Sequence, residues 1–252
     1  MSSVAITPID RAPFRAGWPV LVFLWYFAMA AAAVAQSPEK QAANPTQTHP
    51  ERQTIVVLGD SLASGYGLDV SQAFPALLQK KIDDASWPFT VVNAGVSGAT
   101  SADGARRIDW LLRAKMDILV LELGGNDGLR GIPVTATETN LQSIIDRARQ
   151  KYPKVQIVVA GMQMPPNMGE EYNQAFQNIF PRLARANHAA LVPFLLQGVG
   201  GQPGLNLPDR IHPNEAGHKI VAENVWKILR PILEKSAGDH SGIIQAAEYP
   251  MG

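Results

Sequence analysis

Five short apolar runs alternate with amphipathic stretches along most of the chain. The runs are rich in Val and Ile and nearly free of charge, which is typical of strands that are covered on both faces of a parallel sheet. They lie at Thr54–Leu58, Phe89–Asn93, Ile118–Leu123, Val155–Ala160 and Ala190–Phe194. Helices are predicted between and after them, at Gln72–Asp84, Ala102–Lys115, Thr137–Lys151, Glu171–Asn187 and Pro213–Glu234. Because the connections are short, this alternation predicts one α/β domain with a parallel sheet over residues 54–235.

The chain begins with a segment that is typical of an export signal. Arg11 and Arg15 precede an uncharged run over residues 16–35, which ends in the small-residue pattern Ala33-Val34-Ala35. We therefore predict a signal peptide over residues 1–35, cleaved near Ala35, and a periplasmic or secreted protein. An uncleaved membrane anchor is the alternative, because a run of about 20 apolar residues reaches across a bilayer. Pro19 and the Ala-rich second half of the run favour cleavage, after which no stable membrane span is expected.

The segments on either side of the predicted domain are polar. Residues 36–53 contain three prolines and predict a flexible lead-in. Residues 236–252 predict a loop-like tail.

The composition narrows the classes of function. The 252 residues include 22 basic and 22 acidic side chains and no cysteine. A neutral balance argues against a nucleic-acid partner, because that partner requires a basic face. The lack of cysteine excludes disulfides, zinc–thiolate sites, iron–sulfur clusters and cysteine nucleophiles.

The candidate chemistry lies just after the predicted strands, where parallel α/β sheets bind their ligands. Gly59-Asp60-Ser61-Leu62 follows the first strand, so Ser61 would present its hydroxyl at the sheet edge from a tight turn. A small helix starting there would direct backbone N–H groups at an oxyanion. The alternative for this position is a helix cap formed by Asp60 or Ser61.

A base for Ser61 is found far away in the sequence. A nucleophilic serine needs a base whose second ring nitrogen is held by a carboxylate. Asp209 and His212 lie three residues apart, directly before Pro213, which suits the first position of the last helix. The Asp-x-x-His spacing is a weak signal alone and becomes strong when it is combined with Ser61. The competing histidines have ordinary surface, capping or helix-interior positions: His49, His188, His218 and His240.

Two further loops offer hydrogen-bond donors at the same sheet edge. Gly98 follows the second strand, and its backbone N–H is open to a ligand because no side chain obstructs it. Asn126 follows the third strand and offers a neutral amide donor to a developing oxyanion. For each residue alone, ordinary turn chemistry is the simpler explanation. Four loops with compatible groups at one edge favour an active site.

These blocks together resemble the SGNH (GDSL-type) hydrolase family. The resemblance covers residues 54–234 and rests on Gly59-Asp60-Ser61-Leu62, Gly98, Gly125-Asn126-Asp127 and Asp209-x-x-His212. Within the family, the run Leu121–Gly131 is similar to that of exported bacterial arylesterases that are also thioesterases and lysophospholipases. One departure is Arg210, where that subgroup usually has Gly. We expect Arg210 to narrow or charge the pocket rim and leave the chemistry intact.

The resemblance implies a fold and a set of roles. The fold is a three-layer α/β/α sandwich, flavodoxin-like, with a five-stranded parallel sheet in the order 2-1-3-4-5. Ser61 would be the nucleophile, His212 the general base and then acid, and Asp209 the residue that orients His212. The oxyanion hole would consist of the Ser61 and Gly98 backbone N–H groups and the Asn126 side chain. No cofactor and no metal ion are expected.

The sequence therefore predicts an exported serine esterase that hydrolyses carboxylic esters of small molecules through an acyl-enzyme on Ser61. Aryl, acyl, lysophospholipid and thioesters are all candidate substrates. A carbohydrate O-deacetylase of the same family is one alternative, with Tyr66 and Tyr172 as the evident sugar-stacking residues. A catalytically silent acyl- or glycan-binding module is the other, although a silent relative would be expected to lack one of the site residues. The apolar residues near the motif loops favour acyl chains, namely Leu129, Met162, Met164 and Met168.

Overall fold

The computed structural model describes the backbone of residues 52–247 and the side chains of residues 52–238. The predicted signal peptide at residues 1–35 and nearly all of the lead-in at residues 36–53 lie outside the described residues, so both stay predictions.

A five-stranded parallel sheet runs through the centre of the protein. Its strands are β1 (Gln53–Gly59), β2 (Phe89–Asn93), β3 (Ile118–Glu122), β4 (Gln156–Ala160) and β5 (Ala190–Val192). They are arranged in the order β2-β1-β3-β4-β5, and every neighbouring pair is parallel. This order confirms the predicted fold class.

The burial of each strand explains the pattern from which it was predicted. Every residue of β3 is buried, so its sequence is an almost continuous apolar run. The edge strand β2 instead alternates between covered and exposed positions, and Val92 is exposed. The last strand ends at Val192, earlier than predicted, because Pro193 follows and has no N–H to continue the ladder.

Helices cover both faces of the sheet. They are α1 (Ser61–Ser64), α2 (Phe74–Asp84), α3 (Ser101–Leu111), α4 (Gly125–Leu129), α5 (Val134–Lys151), α6 (Glu170–Gln177), α7 (Ile179–Ala186) and α8 (Glu215–Ala247). Helix α2 packs against α8, whereas α3 packs against α5, which in turn contacts α6 and α7. Among the described residues, none of the helices has an apolar stretch long enough to span a bilayer.

The helix predicted at Glu171–Asn187 is two helices that meet at Asn178. Pro181 explains the break, because a proline inside a helix lacks an N–H and its ring clashes with the carbonyl group four residues earlier. The buried rings of Phe176 and Phe180, one from each helix, pack edge to face with 5.5 Å between their centroids. The break therefore lies within a well-packed aromatic cluster.

The loop-like tail predicted from residue 236 is wrong for most of its length, because α8 continues to Ala247. The last buried hydrophobic residue of this helix is Leu233 among the residues whose side chains are described. Beyond it no proline interrupts the chain before residue 247. A helix satisfies its own backbone hydrogen bonds, so a polar segment without proline can continue it without further burial.

Two short helices at the carboxyl edge of the sheet carry the candidate chemistry. Helix α1 follows β1, and the Asp60 side chain caps it by accepting the Leu62 backbone N–H at 2.9 Å. Helix α4 follows β3 after Gly124, whose φ of 118° is one that other residues rarely adopt. Both helices have only one turn, so the sheet and the adjacent loops fix their positions.

Candidate active site

Ser61 lies where the sequence predicts it, at the first position of α1 directly beyond β1. Its side chain is nearly buried, with an exposed fraction of 9%. The capping contact of Asp60 was one of the alternatives considered for this turn, and the structure contains it together with a correctly placed serine. The turn therefore holds Ser61 in a fixed position with its hydroxyl at the sheet edge.

His212 lies beside Ser61, although 151 positions separate the two residues in the sequence. The Nε2 atom of His212 is 2.9 Å from Ser61 Oγ, and its Nδ1 atom is 2.7 Å from Asp209 Oδ2. The other carboxylate oxygen of Asp209 accepts the backbone N–H groups of Ile211 and His212 at 2.9 and 3.0 Å. Asp209 thus fixes both the ring and the backbone of the turn that carries His212.

The turn is closed independently of the carboxylate. The backbone N–H of Leu207 donates to the His212 carbonyl oxygen at 2.7 Å, and Asn206 and Pro213 form an antiparallel bridge. Partial burial alone would raise the pKa of Asp209, but the hydrogen bonds from the His212 backbone and ring and from Ile211 outweigh it and lower the pKa to about 2. Asp209 is therefore ionised at neutral pH and able to stabilise an imidazolium.

The predicted oxyanion donors converge on the same edge. The backbone N–H groups of Ser61 and Gly98 have no acceptor among the described residues. Gly98 has a φ of 78°, which suits glycine. Asn126 Nδ2 donates to Asp60 Oδ2 and to the Ala99 carbonyl oxygen, both at 3.1 Å. The Asn126 amide therefore lies between the nucleophile turn and the Gly98 loop, and both of its hydrogens are engaged.

Asp127 fixes the chain just after Gly98 through hydrogen bonds to Ser101. Its carboxylate is buried and accepts the backbone N–H of Ser101 at 2.8 Å and the Ser101 hydroxyl at 2.5 Å. The Thr137 hydroxyl is 3.3 Å from the same carboxylate. Asp127 joins α3, α4 and α5 in this way.

Asp60 has a perturbed environment. Burial is the largest effect and raises its pKa to about 6, although the Leu62 N–H, the Asn126 amide and the positive potential of His212 act in the opposite direction. The charge of Asp127 adds to the rise. A carboxyl group that titrates close to neutral pH therefore lies next to Ser61.

Three residues near the site were not assigned to it by sequence reasoning. The ring of Tyr66, which was considered only for sugar stacking, packs on His212 with 4.5 Å between the ring centroids. Glu122 is completely buried at the end of β3, and Arg107 donates to the carbonyl oxygens of Gly59 and Ala94. The signal that could have revealed Glu122 is a single acidic residue at the end of an otherwise apolar strand.

A second serine near the site, Ser97, and the competing histidines have other positions or contacts. Ser97 Oγ is 2.9 Å from Ser64 Oγ. His218 is buried and accepts the Phe74 backbone N–H, whereas His188 lies two residues after the end of α7 and has a left-handed backbone conformation. His49 and the side chain of His240 lie outside the described residues. No group of three or more potential metal ligands is found among the described side chains.

Two of the residues considered for substrate contact have structural contacts instead. Tyr172 Oη donates to the Ile132 carbonyl oxygen at 2.9 Å, and its ring stacks on Phe176. Met162 is a buried core residue. Leu129 is exposed at the end of α4 and stays available to a ligand.

A parallel three-layer sandwich with a Ser–His–Asp arrangement at its carboxyl edge defines a serine hydrolase. Residues 57–220 match the GDSL-like lipase/acylhydrolase family. The chain belongs to this family, which makes it a hydrolase of acyl esters and confirms the resemblance found in the sequence.

Named relatives agree with this membership. Over 182 residues the chain is 45% identical to "Esterase TesA" of Pseudomonas aeruginosa, which covers 72% of this chain and 90% of that protein. It is 38% identical to "Thioesterase 1/protease 1/lysophospholipase L1" of Escherichia coli, over 71% of this chain and 85% of that protein. The crystal structure of the psychrotrophic esterase EstA from Pseudoalteromonas sp., inhibited by monoethylphosphonate, superposes with a TM-score of 0.68 at 31% identity, covering 72% of this chain and 99% of that one.

Proposed function

We propose that the protein is an exported serine esterase that cleaves carboxylic esters of small molecules through an acyl-enzyme on Ser61. The observation that carries this proposal is a pair of short distances. Ser61 Oγ lies 2.9 Å from His212 Nε2, and His212 Nδ1 lies 2.7 Å from Asp209 Oδ2. These distances are those of hydrogen bonds between a nucleophile, its base and an orienting carboxylate. The family and its named esterases support the same reaction.

In the first step, His212 Nε2 takes the proton of Ser61 Oγ while that oxygen attacks the ester carbonyl carbon. The carbonyl π bond becomes a lone pair on the oxyanion, and the imidazolium is stabilised by ionised Asp209. The backbone N–H groups of Ser61 and Gly98 are free to donate to the oxyanion. Each donor of this kind typically contributes about 2.7–4 kcal/mol of transition-state stabilisation.

Asn126 supplies the third donor by redirecting one amide hydrogen. Its Nδ2 group donates to the neutral carbonyl oxygen of Ala99 and to the carboxyl group of Asp60. A hydrogen bond to an ionised acceptor is about twice as strong as one between neutral groups. The bond to Ala99 is therefore the one that is exchanged for the oxyanion, and Asp60 keeps the amide in place.

The tetrahedral intermediate then collapses to the acyl-enzyme. Its C–O bond to the leaving group breaks, and His212 returns the proton to that oxygen as a general acid. A water molecule next gives a proton to His212 and attacks the acyl carbon. The bond from that carbon to Ser61 Oγ then breaks and His212 returns the proton to Oγ, which releases the carboxylic acid and restores Ser61. The family of the chain and the complete set of donors favour this enzyme over a silent binding module.

Exposed hydrophobic side chains around the site favour acyl or aryl esters. Tyr66, Val96, Leu129 and Ile211 are all exposed and belong to the loops or helices that carry the proposed site residues. Such a surface suits the apolar part of a substrate. The carbohydrate O-deacetylase is the second candidate, but Tyr172, one of its two expected stacking residues, has its hydroxyl bound to Ile132.

The test is hydrolysis of p-nitrophenyl esters from acetate to palmitate, together with an acetylated sugar, by the parent and its Ser61→Ala variant. Ser97→Ala is the matched control, because it removes a nearby hydroxyl that is hydrogen-bonded to Ser64 Oγ, whereas the His212 ring bonds to Ser61 and Asp209 among the described residues. We expect Ser61→Ala to abolish turnover and Ser97→Ala to retain it. Equal activity of Ser61→Ala and the parent would reject Ser61 as the nucleophile, and a folded parent without activity would favour the binding module.

Export is tested separately. The full chain is expressed in a bacterial host, and the N-terminus of the protein is determined in the periplasmic and membrane fractions. We expect a periplasmic protein that begins near Gln36. A membrane-bound protein that keeps residues 1–35 would establish the anchor, and a protein that keeps them in the cytoplasm would reject export.

A further inference from the structure

Glu122 is an acidic residue at a position where the strand is otherwise apolar. It is the last residue of β3, pairs in register with Gly59 of β1, and has an exposed fraction of 0%. Its Oε2 atom accepts the backbone N–H of Asp60 at 3.1 Å. The carboxyl group of Glu122 therefore lies directly beneath the turn that carries Ser61.

Gly59 leaves the space that this carboxyl group occupies. A Cβ atom on Gly59 would lie 2.2 Å from Glu122 Oε2 and 2.6 Å from the Ala63 side chain. The backbone conformation of Gly59 does not by itself demand glycine, because its φ is not positive. The glycine of the Gly59-Asp60-Ser61-Leu62 block is thus required by the close approach of Glu122.

Glu122 has no direct ion pair among the described residues. The nearby cation, Arg107, uses Nη1 for the Ala94 carbonyl oxygen at 2.6 Å and Nη2 for the Gly59 carbonyl oxygen at 2.7 Å. The other carboxyl oxygen, Glu122 Oε1, is buried and has no hydrogen-bond partner among the described residues. An ionised carboxylate in this place would be costly, because burial removes its hydration and the Asp60 N–H replaces it at one of the two oxygens only.

The electrostatic surroundings agree with a neutral group. Burial and the neighbouring charge of Asp60 raise the pKa of Glu122 well above its ordinary value, and the N–H groups of Asp60 and Ala63 and the charge of Arg107 offset this only in part. The charged groups that act on it are Asp60, the N-cap residue of α1, and Arg107 of α3. A negative charge at Glu122 would also oppose the oxyanion that forms on the other side of the turn.

We propose that Glu122 is a positioning residue for the proposed hydrolysis, in which its neutral carboxyl group accepts the Asp60 N–H and so orients the Ser61 N–H toward the oxyanion. This proposal rests on the proposed function of Ser61. Glu122 acts through the peptide backbone and touches no reacting atom. Its contribution belongs to the transition state, because the ester ground state carries no oxyanion.

Two substitutions of Glu122 distinguish its role as a hydrogen-bond acceptor from any effect of its negative charge. Glu122→Gln keeps an acceptor oxygen of the same reach and cannot ionise, whereas Glu122→Leu keeps the approximate volume and removes the acceptor. We expect Glu122→Gln to retain kcat within about three-fold and Glu122→Leu to lower kcat at least about ten-fold with KM unchanged, since losing an oxyanion donor outright costs about 10²–10³ in kcat. If Glu122→Leu does not fold, Glu122→Asp replaces it, because its shorter side chain cannot reach Asp60.

Leu123→Ala is the control for a merely structural effect. Leu123 is the next residue, is fully buried and packs near Gly104 of α3. We expect it to lower the melting temperature and leave kcat per folded molecule unchanged. A kcat loss in Leu123→Ala as large as that in Glu122→Leu would reject a specific role for Glu122, and so would equal kcat losses in Glu122→Gln and Glu122→Leu.

A second measurement does not depend on turnover. The amide proton shift of Asp60, measured by NMR, reports its hydrogen bond to Glu122 directly. We expect this shift to move upfield in Glu122→Leu and to stay near the parent value in Glu122→Gln. If Glu122→Leu loses the Asp60 hydrogen bond but has the same kcat as an active parent, the positioning role alone is overturned. If the parent has the bond but is inactive, the proposed function is overturned.

Discussion

Tyr66 contacts the His212 imidazole with its aromatic ring. Its backbone N–H donates to the Ser61 carbonyl oxygen at 3.1 Å, and its ring packs on the imidazole at a 40° tilt. The side chain is half exposed, so substitution removes little buried area. When His212 is protonated in the transition state, the face of the Tyr66 ring attracts the positive charge.

Tyr66→Leu is therefore expected to lower kcat/KM, and Tyr66→Phe is expected to retain it. A cation–π contact at an exposed site contributes about 0.5–1 kcal/mol, which corresponds to a loss of about two- to five-fold. The measurement is kcat/KM for p-nitrophenyl butyrate. Equal rates in the Leu and Phe variants would show that the aromatic ring has no electrostatic role.

Arg210 adopts a left-handed conformation, with a φ of 60°. The subgroup that the sequence resembles is expected to have Gly at this position, and Gly adopts this conformation without steric cost. We expect Arg210→Gly to raise the free energy of unfolding by about 0.5–1 kcal/mol, because relief of the strain is partly offset by the greater freedom of glycine in the unfolded chain. Urea unfolding measures this change.

Arg210→Ala is the matched control, because it removes the charge and keeps the strained backbone. It is expected to give no gain in stability. The same pair tests the hypothesis, suggested by the place of Arg210 beside the triad, that its guanidinium group recruits an anionic head group. Unchanged relative rates on charged and neutral esters in both variants would reject that hypothesis.

At the scale of single elements, helix α2 depends on a residue from the last helix. Ala73 at its N-cap makes no side-chain capping bond. The buried His218 of α8 instead accepts the Phe74 backbone N–H with Nδ1 at 3.2 Å. His218 thus caps α2 across the fold and ties together the two helices on one face of the sheet.

This cap makes α2 sensitive to acid. Burial first, and then the potential of His212, lower the pKa of His218 from 6.5 to about 4. Below pH 6.5 the unfolded chain binds a proton at His218, whereas the native state binds it only near pH 4. The stability that neutral His218 contributes is therefore present above pH 6.5 and is lost as the pH falls toward 4. The difference in unfolding free energy between the parent and His218→Asn is expected to shrink by about 3 kcal/mol over this interval. Parallel pH curves for the two proteins would contradict it.

The elements also differ in how far the sequence determines them. The observed ends of strands β1 to β4 lie within one residue of the predicted ends, because a mostly apolar run marks each of these strands. The break at Asn178 was missed although Pro181 is visible, because the hydrophobic period continues across it. The proposed triad was expected from the position of Ser61 after β1, the Asp-x-x-His spacing and the family resemblance. The contacts of Asn126, Tyr66 and Glu122 depend on packing between distant loops, which no local pattern records.

At the scale of the whole molecule, the buried groups with shifted pKa values oppose one another. The chain has no net formal charge at pH 7, so general charge repulsion is small there and the local groups contribute to its pH dependence. His218 lowers stability as the pH falls from 6.5. Asp60 and Glu122 act in the opposite sense, because a raised pKa makes the native state hold a proton that the unfolded chain releases.

Glu122→Gln isolates the larger of these carboxyl effects. In the parent, stability is lost as the pH rises above 4.5, the ordinary pKa of Glu, toward the raised pKa of the buried group. The amide does not titrate, so the variant gains stability relative to the parent as the pH is raised from 5 to 8. Urea unfolding at several pH values measures this difference, and Leu123→Ala provides a control whose curve is displaced without a change in slope. If the unfolding free energies of Glu122→Gln and the parent change with pH in parallel, Glu122 is ionised in the folded protein. That result would reject the proposal that a neutral carboxyl group accepts the Asp60 N–H beneath Ser61.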